Sequence, residues 1–379
     1  MSVRVGIVAA TALTAAGDEV EALWRRLLAA DSAIAPVRHF STAGLTSSSA
    51  ACVGWLEASA ERTRFGHLTE VLAERVGSWS VPPDSRLITA TTKGDIEVLE
   101  RQCRLPAGER ARLGGQAWAD GLALRLGLSR SALNVTAACA SSTIAVALGA
   151  QDIVAGRRRA VLVCCADVVS HFVFTGFCAL KAVSPGRARP FDRERDGLSL
   201  GEGAAALLLM EEGQCRAEGR PVLAWVEGWG IANDAHHVTA PARDGCGLIE
   251  ACRIALAQAG VAAAEVGAVN AHGTGTVYND LMELKAFQSV FAGQPVPLFS
   301  IKGLVGHTLG AAGGVECCVS LQALGAGLVP PTVGCQSPEP LGEGWVCREP
   351  CRLAKPRILN TNSGFGGINA AVLLSREVC

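Results

Sequence analysis

Among fifteen cysteines and seven histidines, one thiol and two imidazoles stand where chemistry is possible. Cys139 lies in Thr136-Ala-Ala-Cys-Ala-Ser-Ser142, directly before a small, apolar run. His272 lies in Ala271-His-Gly-Thr-Gly-Thr276, and His307 in Lys302-Gly-Leu-Val-Gly-His-Thr-Leu-Gly-Ala-Ala-Gly313. The surrounding small residues let a substrate approach the backbone closely. A thiolate is stabilised at a helix N-terminus by the partial positive charge and free N–H groups there. A neutral imidazole can donate its N–H to a substrate oxygen. A thiol that carries an acyl group beside two such donors is equipment for carbon–carbon bond formation on thioesters.

Other residues fit around this trio. Glu316 falls inside an otherwise apolar run, where a lone carboxylate is costly. Lys302 is the nearest candidate cation, and the pair either orients the site or holds its loop. Thr274 and Thr276 offer hydroxyls to a polar ligand arm. His236-His237 has no carboxylate or thiolate at metal-ligand spacing, and no Cys-x-x-Cys pair occurs, so neither a metal site nor a cofactor is expected. Adjacent pairs such as Cys164-Cys165 and Cys317-Cys318 sit in apolar runs and read as small buried hydrophobes. The N-terminus reads as a strand, and no charge-free apolar run reaches membrane-spanning length. The expectation is a protein of a reducing cytoplasm, off the membrane. A net charge of −1 argues against a dedicated nucleic-acid binder.

The elements that must position these groups alternate. Val3–Ala10, Ser85–Thr91, Ala132–Thr136, Ala160–Ala166 and Val266–Asn270 read as strands. Glu19–Ala30, Arg62–Val76, Gly121–Leu128, Ala140–Ala155 and Leu309–Leu324 read as helices, and Ser41–Ala60 as loop. Apolar strands alternating with helices predict an α/β protein with buried sheets. Gly201-Glu-Gly-Ala-Ala-Ala-Leu-Leu-Leu is echoed by Gly366-Gly-Ile-Asn-Ala-Ala-Val-Leu-Leu at an offset of 165 residues. The same offset carries Cys139 to within three residues of His307. The echo predicts two halves of one duplicated fold, residues 1–215 with the cysteine and 216–379 with the histidines, forming one compact unit. Cys139 and His307 would then open equivalent helices. An equivalent strand order in both halves separates duplication from coincidence in Gly/Ala/Leu-rich sequence.

Five segments in order resemble the β-ketoacyl synthases, the condensing enzymes of fatty-acid and polyketide assembly. They are the Cys139 segment, Arg189-Pro-Phe-Asp through Gly201-Glu-Gly203, the His272 segment with Asn279, Asp280 and Glu283, the Lys302–Gly313 segment, and Gly364-Phe-Gly-Gly-Ile-Asn369. The resemblance implies the duplicated thiolase-like fold, layered α-β-α-β-α with two mixed sheets. It implies acyl transfer to Cys139, then decarboxylative condensation with malonyl carrier protein promoted by His272 and His307. Lys302 and Glu316 resemble the supporting ion pair, and Phe365 the gate. The N–H groups of Cys139 and Phe365 resemble the oxyanion hole, and Thr274 and Thr276 the phosphopantetheine contacts. The implied partners are acyl carrier protein and a second subunit, identical or of the chain-length-factor type. Arg62, Arg64 and Arg189 are candidate carrier contacts or ordinary solvated surface.

The chain departs from the family at Ser363, where a Phe is common, and at Ile368, where a Thr is common. Thr91-Thr-Lys-Gly-Asp-Ile96 looks like a stretch of aryl-polyene-type ketosynthases, and His171–Phe177 is a candidate lining for a planar, unsaturated chain. Two rivals remain: a non-catalytic chain-length-factor-like subunit, against which all three site residues argue, and a non-decarboxylating thiolase. A thiolase needs a second site cysteine, and Cys347, Cys351 and Cys379 sit in no glycine-rich motif.

Overall fold

Among the described residues, ten strands form one mixed sheet whose two halves repeat the same order. The structure is a computed structural model that describes residues 3–59, 62–101, 114–128 and 132–377. The first half contributes β1 (Val5–Thr14), β2 (Arg86–Ala90), β3 (Leu133–Val135), β4 (Ala160–Asp167) and β5 (Gly203–Glu211). The second contributes β6 (Ala224–Asn233), β7 (Ala268–Asn270), β8 (Leu298–Phe299), β9 (Arg357–Gly364) and β10 (Ile368–Ser375). The first half runs β1-β5-β4-β2-β3, and the second runs β6-β10-β9-β7-β8. In each, the first two ladders are antiparallel and the last two parallel. The two five-stranded halves of the sheet join where β1 pairs with β6 at Val5↔Val226, Gly6↔Trp225 and Ile7↔Ala224.

Helices cover both faces: α1 (Val20–Leu28), α2 (Arg64–Gly77), α3 (Gly115–Arg125), α4 (Ser141–Val154), α5 (His171–Ala179), α6 (Cys246–Ala259), α7 (Val277–Val290) and α8 (Ala312–Ala326). Strand β4 is buried throughout, because successive side chains point to opposite faces and both are covered. Val161, Val163 and Cys165 join the cluster around α4 and α8, whereas Leu162 and Cys164 join the one around α2. A third cluster packs α6 and α7 on the second half. Helices α4 and α8 form the shared middle layer, which is why both are apolar all round. Leu309–Ala326 has the length and hydropathy of a membrane span, yet 83% of it is buried inside the protein.

The glycines of α8 set the distance between the two central helices. A Cβ on Gly313 would lie 1.9 Å from Thr143 Oγ1, and one on Gly314 would lie 2.3 Å from Cys165 Sγ. The Gly314 N–H also donates to Ser142 Oγ at 2.9 Å. The first turns of α4 and α8 therefore touch, which draws the segments carrying Cys139 and His307 together. The equivalence of those segments is looser than the constant offset implies. Cys139 is two residues from α4, whereas a 3₁₀ turn, Leu309–Ala311, separates His307 from α8.

Candidate active site

Cys139 follows edge strand β3 on a tight turn. Ala138 holds a φ of +46°, a left-handed conformation that residues with a side chain seldom adopt. Ser141 fixes the turn: its Oγ accepts from the Ala137 N–H at 2.8 Å and donates to the Ala138 carbonyl at 2.6 Å. The sulfur is buried at the mouth of α4. Burial pushes the thiol up to about 12, although the Lys302 and Lys93 ammonium groups pull the other way. The resting group is a thiol, and the helix N-terminus acts on the thiolate as it forms.

His272 leaves the end of β7, and α7 holds its loop. Glu283 accepts the His272 N–H at 2.8 Å and the Gly273 N–H at 2.6 Å. Asp280, one turn earlier, accepts the Thr274 N–H at 3.0 Å and the Gly275 N–H at 3.1 Å. His272 Nδ1 faces the Asn362 side-chain amide at 3.2 Å. The same amide nitrogen donates to Glu316 Oε2 at 2.7 Å, so Asn362 presents its NH₂ here and Nδ1 accepts. The neutral ring must then carry its proton on Nε2. His307 reaches the same state independently, because the Leu309 N–H donates to its Nδ1 at 3.1 Å. Its Nε2 is buried without a protein partner among the described residues. Both rings are neutral: burial and the Lys302 charge push each well below 6.5.

These rings stand 5.1 Å apart, edge to face. Cys139 Sγ and one nitrogen of each histidine all lie within 4.8 Å of one another. Such a trio has the donor types of a metal site. Lys302 and Lys93 bring positive charge near it, and Glu316 and Asp167 offset that charge at Cys139. The arrangement suits a developing anion between two N–H donors.

Lys302 is 1% exposed. Its Nζ forms an ion pair with Glu316 and donates to the His272 carbonyl at 2.5 Å. The pair therefore bridges α8 to the His272 loop. Burial pushes the Glu316 carboxyl up, while Lys302 and Asn362 pull it back.

A cavity of about 400 Å³ opens above the trio. Thr274 and Thr276 line it, with their hydroxyls 2.9 Å apart, and so does Phe365. Phe365 sits at the tip of the β9–β10 hairpin and stacks on Phe177 at 5.9 Å. Gly364 brings this tip against Cys139, since a Cβ there would lie 3.2 Å from the Cys139 nitrogen. Ser363 donates to Asn369 Oδ1 at 2.7 Å, and a Gly364 Cβ would lie 2.9 Å from Ile368 Cγ2. Ser363 thus bonds within the hairpin and also lines the cavity, whereas Ile368 packs against Gly364.

The carrier-contact expectation needs correction at Arg64. Arg64 is 6% exposed and paired to Glu202 at 2.5 Å, with further bonds to the Leu56 and Val53 carbonyls. It cannot face a partner. Arg62 pairs with Glu70 at 3.3 Å, and Arg189 with Glu194 at 3.4 Å and Asp196 at 3.7 Å; both side chains are partly exposed. Of the His171–Phe177 stretch only Phe177 lines the cavity; Phe174 is core, and Phe172 is 63% exposed. His237 Nδ1 is occupied by the Thr239 and Ala240 N–H groups, as in a turn-holding residue. Cys347 and Cys351 line a different cavity, and Cys379 lies outside the described residues. Asn362, which ties His272 to Glu316, was missed. The one available signal was that buried Glu316 needs more than one donor.

Comparison with known proteins agrees along the chain. The β-ketoacyl synthase N-terminal domain matches residues 112–214, and the β-ketoacyl synthase C-terminal domain matches residues 223–336. A 3-oxoacyl-[acyl-carrier-protein] synthase 2 of Vibrio cholerae is 29% identical over 98% of this chain and 99% of its own. Nodulation protein E of Rhizobium sp. is 31% identical over 100% of both chains. The solved ishigamide ketosynthase/chain length factor superposes with a TM-score of 0.90 at 28% identity, covering 100% of both chains.

Proposed function

Because the chain belongs to the β-ketoacyl synthase family, acyltransferases of fatty-acid and polyketide synthesis, we propose that it extends acyl chains held on Cys139 by decarboxylative condensation with a malonyl carrier protein. The observation that carries this reading is one buried sulfur with a nitrogen of each of two neutral histidines within 4.8 Å, both rings carrying their proton on Nε2.

In the first half-reaction Cys139 Sγ attacks the thioester carbonyl carbon of an acyl carrier protein. The N–H groups of Cys139 and Phe365 receive the developing oxyanion. The carrier's sulfur leaves with the electron pair and takes up the thiol proton. Thr274 and Thr276 hold the phosphopantetheine arm along the cavity wall. In the second half the malonyl C–CO₂ bond breaks, and its electrons move to the thioester oxygen as an enolate. His272 and His307 both donate to that oxygen. The enolate carbon then attacks acyl-Cys139, and the Cys139 sulfur leaves with the electron pair and takes up a proton from solvent. Removing one donor of this kind costs about 10²–10³ in rate. Lys302 and Glu316 orient the His272 loop, and Phe365 with Phe177 gates the acyl side of the cavity.

The flat Phe177–Phe365 wall favours a planar, unsaturated chain, as in an aryl-polyene-type pathway. The similarity to the ishigamide ketosynthase/chain length factor supports a partner subunit of related fold. A thiolase reading loses ground because, among the described residues, no second cysteine lines the cavity.

Intact-mass measurement of acyl transfer from a panel of acyl carrier proteins tests the proposal. Wild type should gain one acyl group, and Cys139→Ala none. His307→Ala should load yet fail to condense. Wild-type protein that never loads would point to the non-catalytic partner role, and condensation without malonyl would point to a thiolase.

A further inference from the structure

The stretch Thr91–Ile96 has no part in the mechanism above, yet it reaches the site. Asp167, at the end of β4, is fully buried and gathers five donor groups. The Thr91 hydroxyl donates to it at 3.0 Å, the Thr92 N–H at 2.9 Å and the Lys93 ammonium at 3.0 Å. The Thr92 hydroxyl is a fourth donor. The fifth is the Gly310 N–H at 2.8 Å, from the 3₁₀ turn that follows His307. Gly310 has no room for a side chain: a Cβ would lie 2.8 Å from Asp167 Oδ2 and 2.9 Å from the Thr92 nitrogen. The preceding residue, Leu309, holds a left-handed φ of +55° and aims its N–H at His307 Nδ1. Asp167 thus clamps the turn that decides which His307 nitrogen carries the proton.

We propose that Asp167 and Lys93 are positioning residues of the condensation site, Asp167 by clamping the turn behind His307 and Lys93 by anchoring a fixed positive charge on that clamp. The proposal rests on the ketosynthase reading for its condensation arm alone. The Lys93 side chain is 17% exposed and is anchored by Asp167 and the Thr92 hydroxyl, so its charge is held in place. It favours the Cys139 thiolate and the neutral His307 ring, and Asp167 opposes the thiolate. The other groups facing His307 are Lys302 beyond β8 and His272 beyond β7. Cys139 faces Lys302 and, on α8, Glu316 as well.

The two residues have opposite signs at Cys139, which gives a test that general loosening does not mimic. The rate of Cys139 alkylation by iodoacetamide and the acid limb of condensation are measured against pH for wild type, Lys93→Met, Lys93→Arg and Asp167→Asn. Lys93→Met should slow alkylation at pH 8 several-fold and move the acid limb of condensation up by about half a pH unit or more. Lys93→Arg should restore both. Asp167→Asn should speed alkylation while lowering condensation about 10²-fold, because the His307 donor is no longer aimed. Unchanged alkylation and acid limb in Lys93→Met would overturn the charge role. Asp167→Asn that slows both reactions together would overturn the clamp. Wild-type protein that alkylates but never condenses would overturn the ketosynthase reading, and the alkylation arms would still decide how these residues act on Cys139.

Discussion

Asn362 donates to His272 at Nδ1 while its second amide hydrogen goes to Glu316 Oε2. One buried side chain thereby sets the tautomer of a site histidine and ties that histidine to the Lys302–Glu316 pair. The Asn362 carbonyl oxygen accepts from the Thr143 hydroxyl on α4, and a flip of the amide would set that oxygen against the Glu316 carboxylate.

Asn362→Asp should therefore separate the half-reactions. A carboxylate at this position cannot donate to Nδ1 and faces Glu316 directly. Acyl loading of Cys139 should stay within a few-fold of wild type, while condensation should fall by about 10² or more. Single-turnover loading and steady-state condensation, measured side by side, check this; equal losses in both would remove the tautomer role.

Breaking the buried ion pair should cost stability and activity differently. Lys302→Met leaves Glu316 buried without its cation, a loss of about 3–5 kcal/mol. The double variant Lys302→Met/Glu316→Leu removes both charges and should recover much of that stability. It should still fail to condense, because the His272 carbonyl has lost its donor. Denaturant midpoints and condensation rates distinguish the two effects.

The thiol of Cys139 sets a pH signature. With its value raised to about 12 by burial, the thiolate fraction should rise about tenfold per pH unit through the neutral range. Alkylation of Cys139 by iodoacetamide should rise log-linearly from pH 6.5 to 9 without a plateau. A plateau near neutrality would show that the α4 N-terminus outweighs burial.

Arg64→Ala should act on stability rather than on carrier binding. It strips Glu202 of its buried partner, which costs about 3–5 kcal/mol. The melting temperature should drop, while the salt dependence of the carrier KM should match wild type. A weaker salt dependence would return Arg64 to the docking surface.

The residues of the site were legible in the sequence because each stands in a local motif. Cys139 precedes a run with helix composition, His272 and His307 sit among glycines, and Glu316 is conspicuous in an apolar helix. The alternation of apolar strands and helices carried the fold class for the same reason: periodicity is a local property of the chain. Arg64 misled because a lone arginine near a loop reads as surface, and nothing nearby in sequence reveals Glu202, 138 residues away.

What only the tertiary structure decided are the states of those residues. The His272 tautomer depends on Asn362, 90 residues distant, and Asn362 in turn depends on Thr143, 219 residues distant. The His307 tautomer depends on the backbone of a 3₁₀ turn clamped by Asp167, 143 residues from Gly310. The Cys139 thiol is held neutral by burial between two halves of the chain. Residue identity and local pattern are written along the sequence, whereas protonation, tautomer and charge follow from which distant groups share a low-dielectric space.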